Sequence, residues 1–147
     1  MADRVIDACE ACYDANVGDC SGFAHAVAGR LDVTLAGIAD QIVDTLRTSP
    51  DWTPLANGVA AALAAKGGAN LVIAGLKGEE QAAQNRHGHV VVVVDGPLAH
   101  DAYPTAYWGS LGGQPGKNQT LNHAWTAEDR DRISYAQHPI TPAGSPG

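Results

Sequence analysis

Positive charge is scarce in this chain, and so are cysteine and long apolar runs. Nine lysines and arginines stand against sixteen aspartates and glutamates in 147 residues, a formal net charge of −7. No Lys/Arg cluster stands out. Phosphate neutralisation needs a basic face, so a nucleic-acid partner is not expected. No apolar run approaches the roughly 20 residues needed to span a bilayer, so no membrane partner is expected either. The opening Met1-Ala2-Asp3-Arg4 lacks the basic leader and apolar core of a signal peptide, which predicts a soluble chain made in the cytoplasm. Three cysteines are too few for a disulfide framework, and their odd number leaves at least one free thiol or an intermolecular bond. There is no internal repeat.

What is present is enough for a core. Hydrophobic residues make up 45% and charged residues 17%, which excludes a disordered chain, and the length fits one domain. Residues 3–14 read as a helix with Val5, Cys9 and Cys12 on one stripe. The turn Asn16-Val17-Gly18-Asp19 delivers Cys20 to the head of a second helix ending near Gly29 to Leu31. Cys20, Phe23, Ala24, Val27 and Leu31 fall on one face of it. Leu35, Ile38, Ile42 and Leu46 form a further stripe, stopped by Thr48-Ser49-Pro50. Residues 50–57 read as a loop carrying Trp52. Residues 58–66 read as a helix with Val59 and Leu63 inward and Gly67-Gly68 as its stop.

The character then changes. Leu71-Val72-Ile73-Ala74 is a short β run, and Val90 to Val94 are five consecutive valines. An unbroken β-branched run predicts a central strand covered on both faces. Further strands are expected at 105–109, 119–125 and 133–137, with a polar loop over Lys77–Gly88, a glycine-rich segment at Gly109–Gly116 and a capping pattern at Thr126-Ala127-Glu128-Asp129. Helices first and an antiparallel sheet afterwards make an α+β domain over residues 1–138. The Pro/Gly/Ser-rich residues 139–147 read as a flexible tail.

Chemistry is expected where Cys20 meets the sheet. A cysteine at a helix start has its thiolate stabilised by unpaired N–H groups and the positive end of the helix dipole. Its stripe turns it towards the sheet. His89, immediately before the five valines, is held on the first residue of a rigid strand, where catalytic geometry is best maintained. A Cys–His pair activates the thiol and supplies a proton to the leaving amine. The oxyanion hole is expected to include the Cys20 N–H. Ser21 either assists there or caps the helix, and Asp19 either fixes the turn or contacts a polar substrate group.

The remaining candidates are weaker. Cys9-Glu10-Ala11-Cys12 is a C-x-x-C without the strand–turn setting of a redox motif, and both sulfurs lie on an apolar stripe, so packing is the better reading. His87 shares the side of His89 in an extended chain and competes with it as base. His25 lies off the Cys20 stripe and is expected at the surface. His100, His123 and His138 fall in turns or near strand ends and form no H-x-x-x-H or H-E-x-x-H pattern. Trp108 is the best of three tryptophans for a place in a groove. Lys77, Arg86 and Lys117 either attract substrate carboxylates or are solvated.

Asp19-Cys20-Ser21-Gly22-Phe23, followed by Gly88-His89-Val90, resembles the signature of NlpC-type cell-wall peptidases with a papain-like core. The likeness is closer to family 1 of the type VI secretion amidase effectors. Residues 71–78, Gly96-Pro97-Leu98, Tyr103-Pro104 and Asp129-Arg130-Asp131-Arg132 extend it across about residues 5–136. This resemblance implies an endopeptidase that cleaves peptidoglycan stem peptides between D-glutamate, through its γ-carboxyl, and meso-diaminopimelate. It implies delivery into the periplasm of a recipient bacterium and a cognate immunity protein that plugs the groove. A monomer without cofactor or metal is expected. By position Cys20 is the nucleophile and His89 the base. Two features depart from the family pattern. The loop Glu79–His87 is longer, and no third residue orienting the histidine is evident, though residues 105–110 offer carbonyls or the Ser110 hydroxyl. An acyltransferase of the same fold is the second enzyme reading. A zinc-stabilised binding module using Cys9, Cys12 and Cys20 is the non-enzyme one.

Overall fold

In a computed structural model the structure describes residues 3–83 and 87–140. Helix α1 (Arg4–Cys12) begins where the Asp3 carboxylate accepts from the amides of Val5 and Ile6 at 2.9 and 3.0 Å. Helix α2 (Cys20–Arg30) begins at Asp19, whose extended backbone and side chain form the cap. It stops where Asp32 takes a left-handed φ of 59°. Helix α3 (Ala39–Thr48) is narrower than its apolar spacing suggests. Leu35 precedes it, and Ile38 is its 63% exposed cap, while Ala39, Ile42, Val43 and Leu46 face inward.

Strand β1 (Thr53–Leu55) occupies the stretch expected to be a loop, and Trp52 before it is buried. With three residues and a central Pro54 it carries almost no strand signal, and proline is tolerated because β1 is an edge. Helix α4 (Gly58–Ala65) is capped by Asn57, but its inward residues are Gly58, Ala61 and Ala65. Val59 and Leu63 are exposed, opposite to the expectation, because the helix approaches too closely for large side chains. A Cβ on Gly58 would lie 2.1 Å from the Ala102 carbonyl oxygen.

Strands β2 (Asn70–Leu76), β3 (His89–Val93), β4 (Thr105–Trp108), β5 (Gly116–Thr120) and β6 (Ser134–Pro139) complete a six-stranded antiparallel sheet ordered β1-β6-β2-β3-β4-β5. The strand expected at 119–125 ends at Thr120, and Leu121–His123 form a single 3-10 turn. The capping pattern at Thr126–Asp129 opens a turn, not a helix. β6 includes Pro139, and Ile140 packs against the core; residues 141–147 of the expected tail lie outside the described residues.

The valine run is buried throughout and divides between two cores. Val90, Val92 and Val94 join the core formed with α1, α2 and α3. Val91 and Val93 join the opposite core with Ala61, Ala65, Trp108, Leu121 and Trp125. Period-two alternation in a strand covered on both sides gives this division. The result is an α+β domain with helices on both faces of its sheet, and α2 crosses the β3 end that carries His89.

Candidate active site

Cys20 is the first residue of α2, and the stripe expected from spacing is the one observed: Cys20, Phe23, Ala24, Val27 and Leu31 are all buried. The Asp19 carboxylate holds the turn before it, accepting from the Ser21 amide at 3.2 Å and the Ser21 hydroxyl at 2.9 Å. Asp19 is therefore the cap, and Ser21 is spent on Asp19. The thiol lies 3.9 Å from the carbonyl oxygen of Gly88, the residue before His89. Gly88 permits this crowding. A Cβ there would lie 2.4 Å from Asp40 Oδ1 and 3.0 Å from the Leu76 carbonyl oxygen.

Cys20 and His89 line one groove of about 990 Å³, together with the start of α3, the glycine-rich loop after β4 and the His123–Thr126 segment. They do not share a hydrogen bond among the described residues; the thiol turns to Gly88. His89 instead meets Trp125 edge-on, with ring centroids 5.2 Å apart and an interplanar angle of 68°. Trp125 belongs to the core that takes Val91 and Val93, the valines in phase with His89. The thiol thus reaches the β3 end from the α2 side while the imidazole rests towards the other.

Burial governs the electrostatics of both groups. It pushes the Cys20 thiol up, assisted by the Asp19 carboxylate and opposed by the amides of Val90, Ser21 and Cys20. It pushes His89 down to about 4. Both shifts favour the uncharged forms, thiol and imidazole, over a preformed ion pair.

The other candidates fall into place around this pair. His87 is exposed on the groove wall, outside β3, and its carbonyl accepts from Gln81 Nε2 at 3.3 Å. In the described part of the long loop Gln81 and Ala83 line the groove, and the Ala82 amide donates to Asp129 at 2.8 Å. Arg86 lies outside the described residues. Asp129 is buried, and its carboxyl is held below the usual range because the Arg132 guanidinium and the Ala82 amide outweigh its desolvation.

Trp108, the expected groove tryptophan, is core. Its indole covers Gly116, where a Cβ would lie 2.3 Å from the ring, and its Nε1 donates to the Gln114 carbonyl at 3.0 Å. Trp125 takes the groove position. Its turn has no periodicity to signal this, and it falls at the end of the strand expected over 119–125. His25 is half-buried, and its Nε2 has no hydrogen-bond partner among the described residues. His123 lines the groove, and no spacing in the sequence signals it. Of residues 105–110 only Ser110 lines the groove. Continuing the β3–β4 register places it level with His89, with no hydrogen bond between their side chains among the described residues. Lys77 pairs with Asp44 at 2.6 Å and Lys117 with Glu10 at 3.4 Å, both away from the groove. Cys9 and Cys12 are free and buried in the helical core, and burial raises both thiols. Among the described residues no group of three or more His, Cys, Asp or Glu is placed to hold a metal, and no helix is long and apolar enough to cross a membrane.

A cysteine at a helix start, set against the end of a central antiparallel strand that carries a histidine, is the arrangement of papain-like cysteine hydrolases. No family model matches the chain. It is 38% identical to the peptidoglycan amidase Tse1 of Pseudomonas aeruginosa over 153 aligned positions, covering 97% of this chain and 94% of that protein. The chain belongs to the type VI secretion amidase effectors, the family of that relative.

Proposed function

We propose that the protein is a peptidoglycan amidase that cleaves stem peptides between the γ-carboxyl of D-glutamate and meso-diaminopimelate, with Cys20 as nucleophile and His89 as proton carrier. The observation that carries the reading is the meeting of Cys20, at the α2 start, with the His89 end of β3 inside one groove. Near full-length similarity to a peptidoglycan amidase supports the substrate class.

In the reaction His89 takes the thiol proton as Cys20 Sγ attacks the scissile carbonyl. The neutral imidazole is ready for this at neutral pH, and the thiolate forms only as it is used. The oxyanion faces the Cys20 N–H, a donor of the first helical turn. Collapse breaks the C–N bond, and the amine leaves with the proton from His89. Water, deprotonated by His89, then hydrolyses the thioester. The acid is released and the thiol restored.

In this reading the protein is a monomeric antibacterial effector that acts in the periplasm of a recipient cell. A cognate immunity protein covers the groove. The test is mass analysis of fragments released from defined peptidoglycan. A product ending in free D-glutamate γ-carboxyl, absent with the Cys20→Ala protein, is expected. A different bond, or acyl transfer to an added amine in place of hydrolysis, would refute it.

A further inference from the structure

The nucleophile turn is held from the far side by the exit of β4. The Ser110 amide donates to the Val17 carbonyl at 2.9 Å. One residue earlier, Gly109 lies so close to the turn that a Cβ would fall 2.3 Å from the Asn16 carbonyl oxygen and 2.6 Å from that of Asp19. Both neighbours are backbone, and both are committed. The Asn16 carbonyl accepts from the Asp19 amide at 3.3 Å, and the Asp19 carbonyl accepts the α2 bond from Phe23 at 3.0 Å. The turn cannot yield by turning a side chain aside. Gly109 is not in the left-handed region, so space and not backbone conformation requires a glycine there.

We propose that Gly109 is a positioning residue: its missing Cβ lets the β4 exit press on the Asn16–Asp19 turn and so sets where Cys20 stands relative to His89. β4 is bonded to β3 through Val92–Tyr107 and Val93–Ala106, so the strand that clamps the nucleophile turn is the direct neighbour of the strand that carries the base. The two halves of the site are thereby referred to one rigid pair of strands. The role differs from that of a third catalytic residue. Gly109 acts on the cysteine's turn and is not among the residues lining the groove.

The proposal rests on the reading of Cys20 as nucleophile. Its test is kinetic, with the full chain. In Gly109→Ala the turn must move outward, and displacement of a reacting group on the ångström scale costs up to about a hundredfold in rate. The expected result on a soluble stem-peptide substrate is a kcat lower by about tenfold or more, with KM within about twofold. The rate of Cys20 alkylation by iodoacetamide should change as well, since the thiol leaves its present amide donors. Gly29→Ala, in open space late in α2, should leave all three quantities unchanged.

Unaltered kcat in Gly109→Ala would overturn the proposal. So would a loss that only tracks the folded fraction while the folded protein is alkylated at the native rate. If Gly109→Ala yields no folded protein, amide exchange in the native chain decides. A Ser110 N–H protected like the β4 amides supports the clamp, and one exchanging like residues 111–113 overturns it. Full activity in Cys20→Ala would instead strike the nucleophile reading itself, a result separate from any Gly109→Ala measurement.

Discussion

The Cys20 thiol rests 3.9 Å from the Gly88 carbonyl oxygen, one residue short of the imidazole that would activate it. Among the described residues that carbonyl, not the imidazole, is the hydrogen-bond partner of the thiol, and burial pushes the thiol up. The imidazole meets Trp125 edge-on instead, so both lie in one groove with separate partners.

The first prediction concerns the thiol's reactivity. Burial raises Cys20, so its alkylation at neutral pH should be slow and should climb only above the ordinary thiol range. Cys9 and Cys12, buried in the helical core, should stay unlabelled until the chain unfolds. Mass analysis of labelled peptides across pH reads this directly. Rapid labelling of Cys20 at pH 6 would mean a preformed thiolate–imidazolium pair.

The turn before the nucleophile offers a second check. Asp19 caps α2 through Ser21, and loss of such a cap costs about 1 kcal/mol. Asp19→Ala should lower the denaturant midpoint accordingly, with an unchanged slope. The same carboxylate raises the thiol, so the alkylation profile should shift to lower pH. Lower stability joined to a more acidic thiol distinguishes this from general damage.

These two residues show what the sequence made legible. Cys20 and its stripe, the valine run and its two-sided burial all follow from periodicity, because each lies on a regular element whose buried face is repeated several times. The groove walls do not. Trp108 looked like the groove residue beside its glycines, yet it fills the space above Gly116, a strand pairing no local pattern announces. Trp125 reached the groove from an irregular turn. Val59 and Leu63 looked inward by spacing on a helix with no polar residue, where period alone cannot choose a face; the close approach at Gly58 chose alanine. What stayed hidden depended on tertiary contacts between distant segments.

His89 should make the fold sensitive to acid. Its folded value near 4 lies below the ordinary 6.5. The unfolded chain then binds more protons between those values, and stability falls as pH drops through that window. The contribution is at most on the order of 3 kcal/mol. Denaturant titrations at pH 7 and pH 4.5 should show a loss in the wild type that is smaller in His89→Gln. Equal losses in both proteins would mean that the imidazole is not desolvated.

Trp125 should matter to activity through His89. An aromatic edge contact is worth about 1 kcal/mol, or roughly fivefold in rate if it holds the ring in working position. Trp125→Phe should retain most of kcat, whereas Trp125→Leu should lose about that factor with the protein still folded at assay temperature. Indifference of kcat to both changes would remove Trp125 from the site.

The central claim is that Cys20, delivered by α2 to the β3 end, performs the cleavage. It is tested most directly by incubating defined peptidoglycan with the wild type and with Cys20→Ala and weighing the released fragments. The wild type should release stem-peptide fragments cut after D-glutamate, and the variant should release none while keeping the native melting temperature within a few degrees, about 1 kcal/mol for a domain of this size. Fragment release by folded Cys20→Ala protein would contradict it.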